Sequence, residues 1–380
     1  MRLLHTSDWH LGRALHGEPM LDHQRAFLRW LVELGVERKV DAVLVAGDVY
    51  DRAVPPTDAV VLLDETLAAF AAASIDIVIT SGNHDSAIRL GFGSKLAQHA
   101  GVHLRTGLEA LTDPIVLEDL AIYGIPYLLP DAVMAELGAE RSHASVLLHA
   151  VERIKADADQ RGLDKIVVLA HAFVTGGAAS ESERDIRVGG IGDVPAGLFA
   201  GLTYVALGHL HGAQQVAPNV RYAGSPMPFS FSERNHHKSV ALVDVTGDDS
   251  VEIELVPTPV TRPMASVRGR LDDLLAASDG PPAEAWLQVV LTDPSRPAAP
   301  MERLRERWPH TLVLDFQPDV EAVEAGEDLA RLRQQSDPVE VCALFVEWVD
   351  STLPDRRQRD ALEAAVEAVR HTGDACGATA

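Results

Sequence analysis

The sequence predicts an α/β fold: a layered β-sheet core with helices on its outer faces, a small α+β capping domain and a C-terminal helical segment. Five short runs rich in Val, Ile and Leu have the continuous apolar character of strands covered on both faces. Stretches of helical period separate the first three, the alternation that builds a layered sheet at least partly parallel at its start. A proline-rich break at residues 257–263 then ends this region and sets the main domain boundary.

In chain order, the first strand is expected at residues 2–5. Residues 21–36 follow as a helix, because Leu21, Phe27, Trp30, Leu31 and Leu34 approximate one face. The second strand is residues 41–46. Pro55 and Pro56 then lead into a helix with Thr57 as its expected N-cap and Val60, Val61, Leu67 and Phe70 along it. Strands at 75–80, 165–170 and 204–207 complete the five, and residues 239–245 and 251–256 read as a strand pair. Beyond the break, strand-like runs at 286–291 and 311–316 flank a helical piece at 301–308. From Pro338 the pattern is helical, in two helices parted by Leu353 and Pro354, with a frayed tail at 371–380. The expected domains are residues 1–260, 264–320 and 336–370.

Apolar residues make up 47% and charged residues 23%, ordinary globular usage that excludes a disordered chain. No run of about 18 apolar residues exists, and residues 1–5 lead into a polar motif rather than a signal-peptide core. The expectation is a cytoplasmic protein with no membrane partner. Cys342 and Cys376 stand in unrelated contexts, which excludes a disulfide framework or a zinc knuckle. With 33 Lys and Arg against 56 Asp and Glu, the net charge of −23 argues against bulk attraction to nucleic acid. Two bound divalent cations would reverse that sign locally, and the acidic surplus is conspicuous in the C-terminal third, for example at residues 315–327. The chain carries no G-x-x-x-x-G-K-[ST] and no strand-linked G-x-G-x-x-G, so it is expected to supply no ATP site of its own.

Each of the five strands ends in oxygen or imidazole donors: Asp8 and His10, then Asp48, then Asn83 and His84, then His171, then His209 and His211. Open α/β sheets bind ligands at the carboxyl ends of their strands, so five independent turns deliver these groups to one edge. Taken singly, each has a bland reading as an Asx turn, a solvated acid or a satisfied histidine. Ordinary turns have no reason to concentrate Asp, Asn and His at all five strand ends without one Cys. Such a donor set suits Mn, Fe or Mg, with Mn2+ favoured in function and Mg2+ the alternative. Two such ions about 3.5 to 4 Å apart, bridged by one carboxylate, clamp the attacking and leaving oxygens of an in-line phosphoryl displacement. Asp48 is the natural bridge.

At these residues the chain resembles the calcineurin-like metallophosphoesterases, whose ordered motifs D-x-H, G-D-x-x-D, G-N-H-D/E, a lone H and G-H-x-H all occur here. Residues 5–13, 47–52 and 223–233 further resemble the SbcD-type nuclease subunits of bacterial SbcCD complexes. The resemblance implies that Asp8, His10, Asp48 and His211 hold one metal and Asp48, Asn83, His171 and His209 the other. His84 then acts on the phosphate as a catalytic residue and is not a ligand. The fourth motif departs from the pattern, with Ala170 where many relatives place Gly before the histidine, and Asp51 matches the second acid of G-D-x-x-D.

Arg13, His16 and Arg52 follow ligand motifs in loops and are candidates to meet DNA phosphates flanking the scissile bond. Arg184 and Arg187 stand in a long polar stretch, residues 175–192. The resemblance implies exonuclease and endonuclease activity on DNA ends and hairpins, and an SbcC-type ATPase with a coiled coil as partner. It also implies a homodimer within a heterotetramer. The rival enzyme reading is a phosphatase or phosphodiesterase acting on a phosphoprotein or a small diester, and the rival outside enzymology is a DNA-end tether with structural metals.

Overall fold

The computed structural model describes residues 1–183, 194–247, 250–259, 262–319, 337–350 and 352–376. Residues 1–291 and 297–316 form one compact unit, and residues 292–296 with 317–380 a second.

The five apolar runs are strands Arg2–Thr6, Ala42–Ala46, Asp76–Thr80, Lys165–His171 and Tyr204–Gly208. They lie in two sheets, where the sequence reading brought their ends to one edge of a single sheet. Strands Arg2–Thr6, Ala42–Ala46, Asp76–Thr80 and Val102–Arg105 run parallel in the first, extended antiparallel by Ser239–Val245 and Val251–Pro257. Strands Leu120–Ile125, Lys165–His171, Tyr204–Gly208 and Val220–Tyr222 run parallel in the second, with antiparallel strands at both edges.

Side-chain alternation explains both the apolar runs and the doubling of the sheet. Leu3, Leu44 and Val78 face Val167, Leu169 and Ala206 in a dry layer between the sheets. The other faces of those strands, with Leu4, Val43, Val45, Ile77 and Ile79, share a core with Phe27, Leu31, Leu62 and Phe70 of helices Leu21–Glu37 and Thr57–Ala72. Across the second sheet, Val168, Ala170, Val205 and Leu207 share a core with Val146, Val151 and Ile154 of helix His143–Arg161. Every central strand is therefore buried on both faces, which removes the polar alternation that would have told one sheet from two.

At helix Thr57–Ala72 the N-cap is Pro56, in extended backbone, and no side-chain cap bond forms. Thr57 is already helical, because the two prolines carry the extended conformation right up to the helix start. Beyond the break, parallel strands Met264–Gly269, Trp286–Leu291 and Thr311–Phe316 carry helices Leu271–Ala276 and Pro300–Arg307 around a core of Leu287, Val289, Leu304 and Trp308. Trp286 reaches the main core, with its ring edge-on to His23 at 4.9 Å.

In the second unit, helices Pro338–Asp350 and Arg356–Cys376 are joined by an Arg359–Glu340 ion pair. Asp355 and Gln358 cap the latter reciprocally at 2.8 Å. That helix continues through Cys376 instead of fraying from residue 371, since the lone Gly373 costs only about 1 kcal/mol. Residues 377–380 of the expected tail lie outside the described residues.

The sheets close on each other at the carboxyl ends of their central strands. A Cβ on Gly208 would overlap the carbonyl oxygen of Ala46, and one on Gly47 would overlap the His171 ring. Backbone cannot yield as a side-chain tip can, so Gly208→Ala should lower stability by about 3 kcal/mol, the upper end of ordinary overpacking costs. A urea midpoint equal to that of the parent chain would show that this approach is not required.

Candidate metal centre

Backbone hydrogen bonds lay the first two motif loops side by side. Asp8 N–H donates to Gly47 O at 3.1 Å, His10 N–H to Asp48 O at 3.0 Å and Leu11 N–H to Val49 O at 2.8 Å. The third motif is tied to the second by Asp85, whose carboxylate accepts from the N–H groups of Gly82, Val49 and Tyr50 at 2.9, 3.1 and 2.9 Å. Gln24 reaches in from helix Leu21–Glu37. Its amide donates to the carbonyls of Trp9 and His10 at 3.1 and 2.7 Å and accepts from Gly12 N–H at 3.1 Å. These clamps hold a backbone that local preference would not choose: Asp8, His10, Asp48 and His209 have φ of 53°, 45°, 50° and 105°.

The seven expected ligands meet in one place. Nε2 of His10 and Nε2 of His211 face each other at 3.2 Å. Oδ2 of Asp48 lies 3.7 Å from His10 Nε2 and 3.4 Å from His171 Nε2. Oδ1 of Asn83 is 2.9 Å from His171 Nε2 and 3.2 Å from His209 Nδ1. Asp8 accepts from His209 N–H at 3.1 Å. Among the described residues, Asp8, His10 and His211 converge as one candidate metal-holding group, and Asp8, Asp48 and His171 as another. A third group, His10, Asp48 and His84, brings His84 into the same centre.

The donors fit a divalent cation. Two ring nitrogens facing at 3.2 Å cannot both present a proton, and His10 Nδ1 is buried without a hydrogen-bond partner among the described residues. Burial would push Asp48 up, but His171, His10 and His84 outweigh it and hold its carboxyl well below the usual range. Burial likewise opposes charge on His171, yet Asp48, Asp8 and the Ala46 carbonyl push it up to about 9. Burial lowers His10 well below its ordinary value and His209 to about 3. Those two rings stay neutral, with lone pairs free to bind a cation.

His84 is buried beside this centre, its Nδ1 at 2.7 Å from the Asp51 carbonyl oxygen and its ring 4.7 Å from that of His10. Asp51 itself places Oδ1 3.6 Å from His10 Nδ1 and 3.5 Å from Arg13 NH1, outside the ligand groups. Arg13 lies over the Phe229 ring at 5.0 Å. His16 is exposed against Phe231, and Arg52 is exposed on the second motif loop. Arg184 and Arg187 lie outside the described residues.

Sequence reading assigned no role to Gln24, Asp85, Glu233 or Lys238. Glu233 closes the stretch 223–233 that carried the family likeness, and it is the one signal that pointed there. Asp85 is the closing acid of G-N-H-D/E, a motif that marked its place but not its clamping role, while Gln24 and Lys238 act on backbone or on another side chain and nothing in a linear motif marks them.

A family model for calcineurin-like phosphoesterases matches residues 1–213, and one described as the type 5 capsule protein repressor C-terminal domain matches residues 260–349. The SbcD subunit of the nuclease SbcCD from Staphylococcus epidermidis is 28% identical over 319 residues, 83% of this chain and 85% of that one. A solved dimetal phosphatase from Danio rerio is 14% identical, covering 68% of this chain and 97% of its own, with a TM-score of 0.44. A solved Thermus thermophilus protein is also 14% identical, covering 67% and 98%, with a TM-score of 0.40. With more than half of its length matched by the first model and the motif residues of that region gathered in one buried cluster, the chain belongs to the calcineurin-like phosphoesterase family.

Proposed function

We propose that this protein is a two-metal DNA nuclease, a double-strand exonuclease and single-strand endonuclease at DNA ends and hairpins. It serves as the nuclease subunit of an SbcCD-type complex in DNA repair, recombination and replication. The observation that carries the reading is the convergence, at five strand ends, of buried carboxylate and imidazole donors with the half-buried amide of Asn83. A likeness to an SbcCD nuclease subunit over 83% of the chain turns it toward DNA. Residues 1–260 form the nuclease domain, 264–320 the capping domain and 336–370 the partner-binding segment. Among the described residues no helix is long and apolar enough to cross a membrane, and a DNA substrate makes the cytoplasm the working compartment.

Asp8, His10, Asp48 and His211 hold one cation, and Asp48, Asn83, His171 and His209 the other, with Mn2+ preferred over Mg2+. Bound there, the two ions supply Lewis acidity toward the scissile phosphate and acidify the attacking water. His84 does the proton work. With Nδ1–H donating to the Asp51 carbonyl, Nε2 is the nitrogen that gains and loses a proton. As the imidazolium it donates to a phosphoryl oxygen and passes its proton to the departing oxygen. Arg13, His16 and Arg52 meet the flanking phosphates. Linear duplex DNA with Mn2+, beside a p-nitrophenyl phosphate diester and a phosphopeptide, should show turnover chiefly on DNA. Asp48→Asn should abolish it and lower metal content, whereas His84→Gln should keep both metals and slow cleavage about 10² to 10⁴-fold. Metal content falling in step with rate in His84→Gln would reject its role as a non-ligand.

The partner segment presents apolar surface: Phe345, Val349 and Leu353 are exposed in and after helix Pro338–Asp350. Val341 and Leu344 extend the stripe, while the side chain of Trp348 lies outside the described residues. Such a face suits helix-in-groove docking onto the coiled-coil base of an SbcC-type ATPase. Truncation after Gln335 should leave a metal-loaded nuclease that cleaves single-stranded DNA but does not copurify with that ATPase. Unchanged copurification would remove the segment from the interface.

A homodimer is supported by a second patch. Ile88, Phe92 and Leu96, four residues apart, are 88, 89 and 79% exposed, with Val60 and Val61 also exposed on helix Thr57–Ala72. A group of large apolar side chains this exposed is a candidate interface. Phe92→Glu should convert a dimer to a monomer in analytical ultracentrifugation, and an unchanged sedimentation coefficient would place the dimer contact elsewhere.

A further inference from the structure

We propose that Glu233 and Lys238 are positioning residues that fix the ring of His211 and so tune one of the two metal positions without touching it. The inference rests on the reading of His211 as a ligand. Since Nε2 of His211 faces His10, its remaining nitrogen, Nδ1, is the handle by which the protein can orient the ring. Oε1 of Glu233 lies 3.0 Å from that nitrogen, and its side chain has no exposed surface.

A carboxylate buried so completely is tolerated only when fully partnered. Oε2 forms a short ion pair with Lys238 Nζ, itself buried, and lies 3.4 Å from the Ser225 hydroxyl. The ammonium spends its other two N–H groups on the carbonyl oxygen of His211 at 2.9 Å and on Ser225 Oγ at 2.8 Å. One lysine thus anchors both the backbone of His211 and the carboxylate that holds its ring. Ser182 Oγ, 2.7 Å from the same Nδ1 and bonded to Glu233, and Glu183, accepting His211 N–H at 2.7 Å, complete the shell.

A buried ion pair contributes little net stability compared with apolar residues of the same volume, so its position is the informative feature. Behind a ligating imidazole, a carboxylate keeps the proton on Nδ1, leaves the Nε2 lone pair for the cation and raises its basicity. Two neighbouring rings are held differently. His171 Nδ1 faces the Ala46 carbonyl oxygen at 2.9 Å, and His10 Nδ1 stands 3.6 Å from the Asp51 carboxylate, beyond hydrogen-bond reach.

The test is Mn2+ titration of the full-length chain by calorimetry. Glu233→Gln should weaken one of the two Mn2+ sites about 10 to 100-fold and leave the other within about 3-fold, the usual effect of losing such an orienting group. Turnover should recover as Mn2+ is raised, with KM for DNA unchanged. His211→Ala should lose the same site, and Glu233→Gln should add nothing to that loss. If Glu233→Gln lowers the thermal midpoint of the metal-free chain, the pair is removed together as Glu233→Gln with Lys238→Met. A weakened site persisting in that variant supports positioning, and wild-type affinity overturns it. Two native affinities in Glu233→Gln while His211→Ala loses one would sink this inference alone. Two native affinities in His211→Ala would instead sink the ligand reading on which it stands.

Discussion

Asp48 and His171 meet at 3.4 Å, each at the end of a central strand of a different sheet, and much of the molecule is arranged around that meeting. Stacked sheets ordinarily lie about 10 Å apart, filled by side chains from both inner faces. Between these two, that filling is mostly Leu, Val, Ile and Ala, with Tyr204 among them. At the carboxyl ends of the strands Gly208 and Gly47 replace the spacer, and the backbones come close enough for an acid of one sheet to touch an imidazole of the other. The cluster is thus a product of the sheet packing. Neither sheet alone contains it.

The close approach also explains where backbone strain is stored. Four of the seven clustered donor residues have positive φ, in a region costly for side chains other than glycine. They are over-determined by buried partners: Gln24 under the first loop, Asp85 between the second and third, and Asp8 accepting the N–H of His209. Each clamp is a side chain bonded to backbone; Gln24 and Asp85 position their loops without adding a donor to the centre, whereas Asp8 is itself one of the donors. Precision at the donors is therefore supplied from elements up to 201 residues away in sequence.

The donor cluster was legible in the sequence because it is written in residue types that ordinary turns do not concentrate. The five strands that end in the motifs were legible to within a residue because burial on both faces enforces a continuous apolar run, whereas Val102–Arg105, Leu120–Ile125, Val220–Tyr222 and Met264–Gly269 were not read. Those same features hid the rest. Runs buried on both sides look alike whether the second layer is helix or sheet, so two sheets read as one. Thr57 read as a cap because its side chain suits one, but Pro56 had already taken the extended position. The clamps Gln24 and Lys238 carry no periodicity and no spacing rule, and Asp85 stands in a motif that does not disclose its partners. Their meaning is the partner each finds across the fold, and the partner is absent from the local sequence.

Charge balance in the cluster gives the last constraint. Asp8 and Asp48 are buried together, and burial lifts Asp8 to about 6 while its neighbours hold Asp48 far lower. Of the cluster's imidazoles, His171 is pushed toward the charged form and offsets a single acid, whereas His10 and His209 are driven neutral. A second acid in a low-dielectric pocket must then take a proton or find a cation. Protonation would consume a donor that the geometry aims inward. A bound cation would satisfy both acids, would favour loss of the His171 proton and would have the lone pairs of the two neutral rings to use. The overall charge of −23 is therefore no obstacle to a phosphate substrate at this position, because the charge the substrate meets is set by the ions the cluster is built to gather.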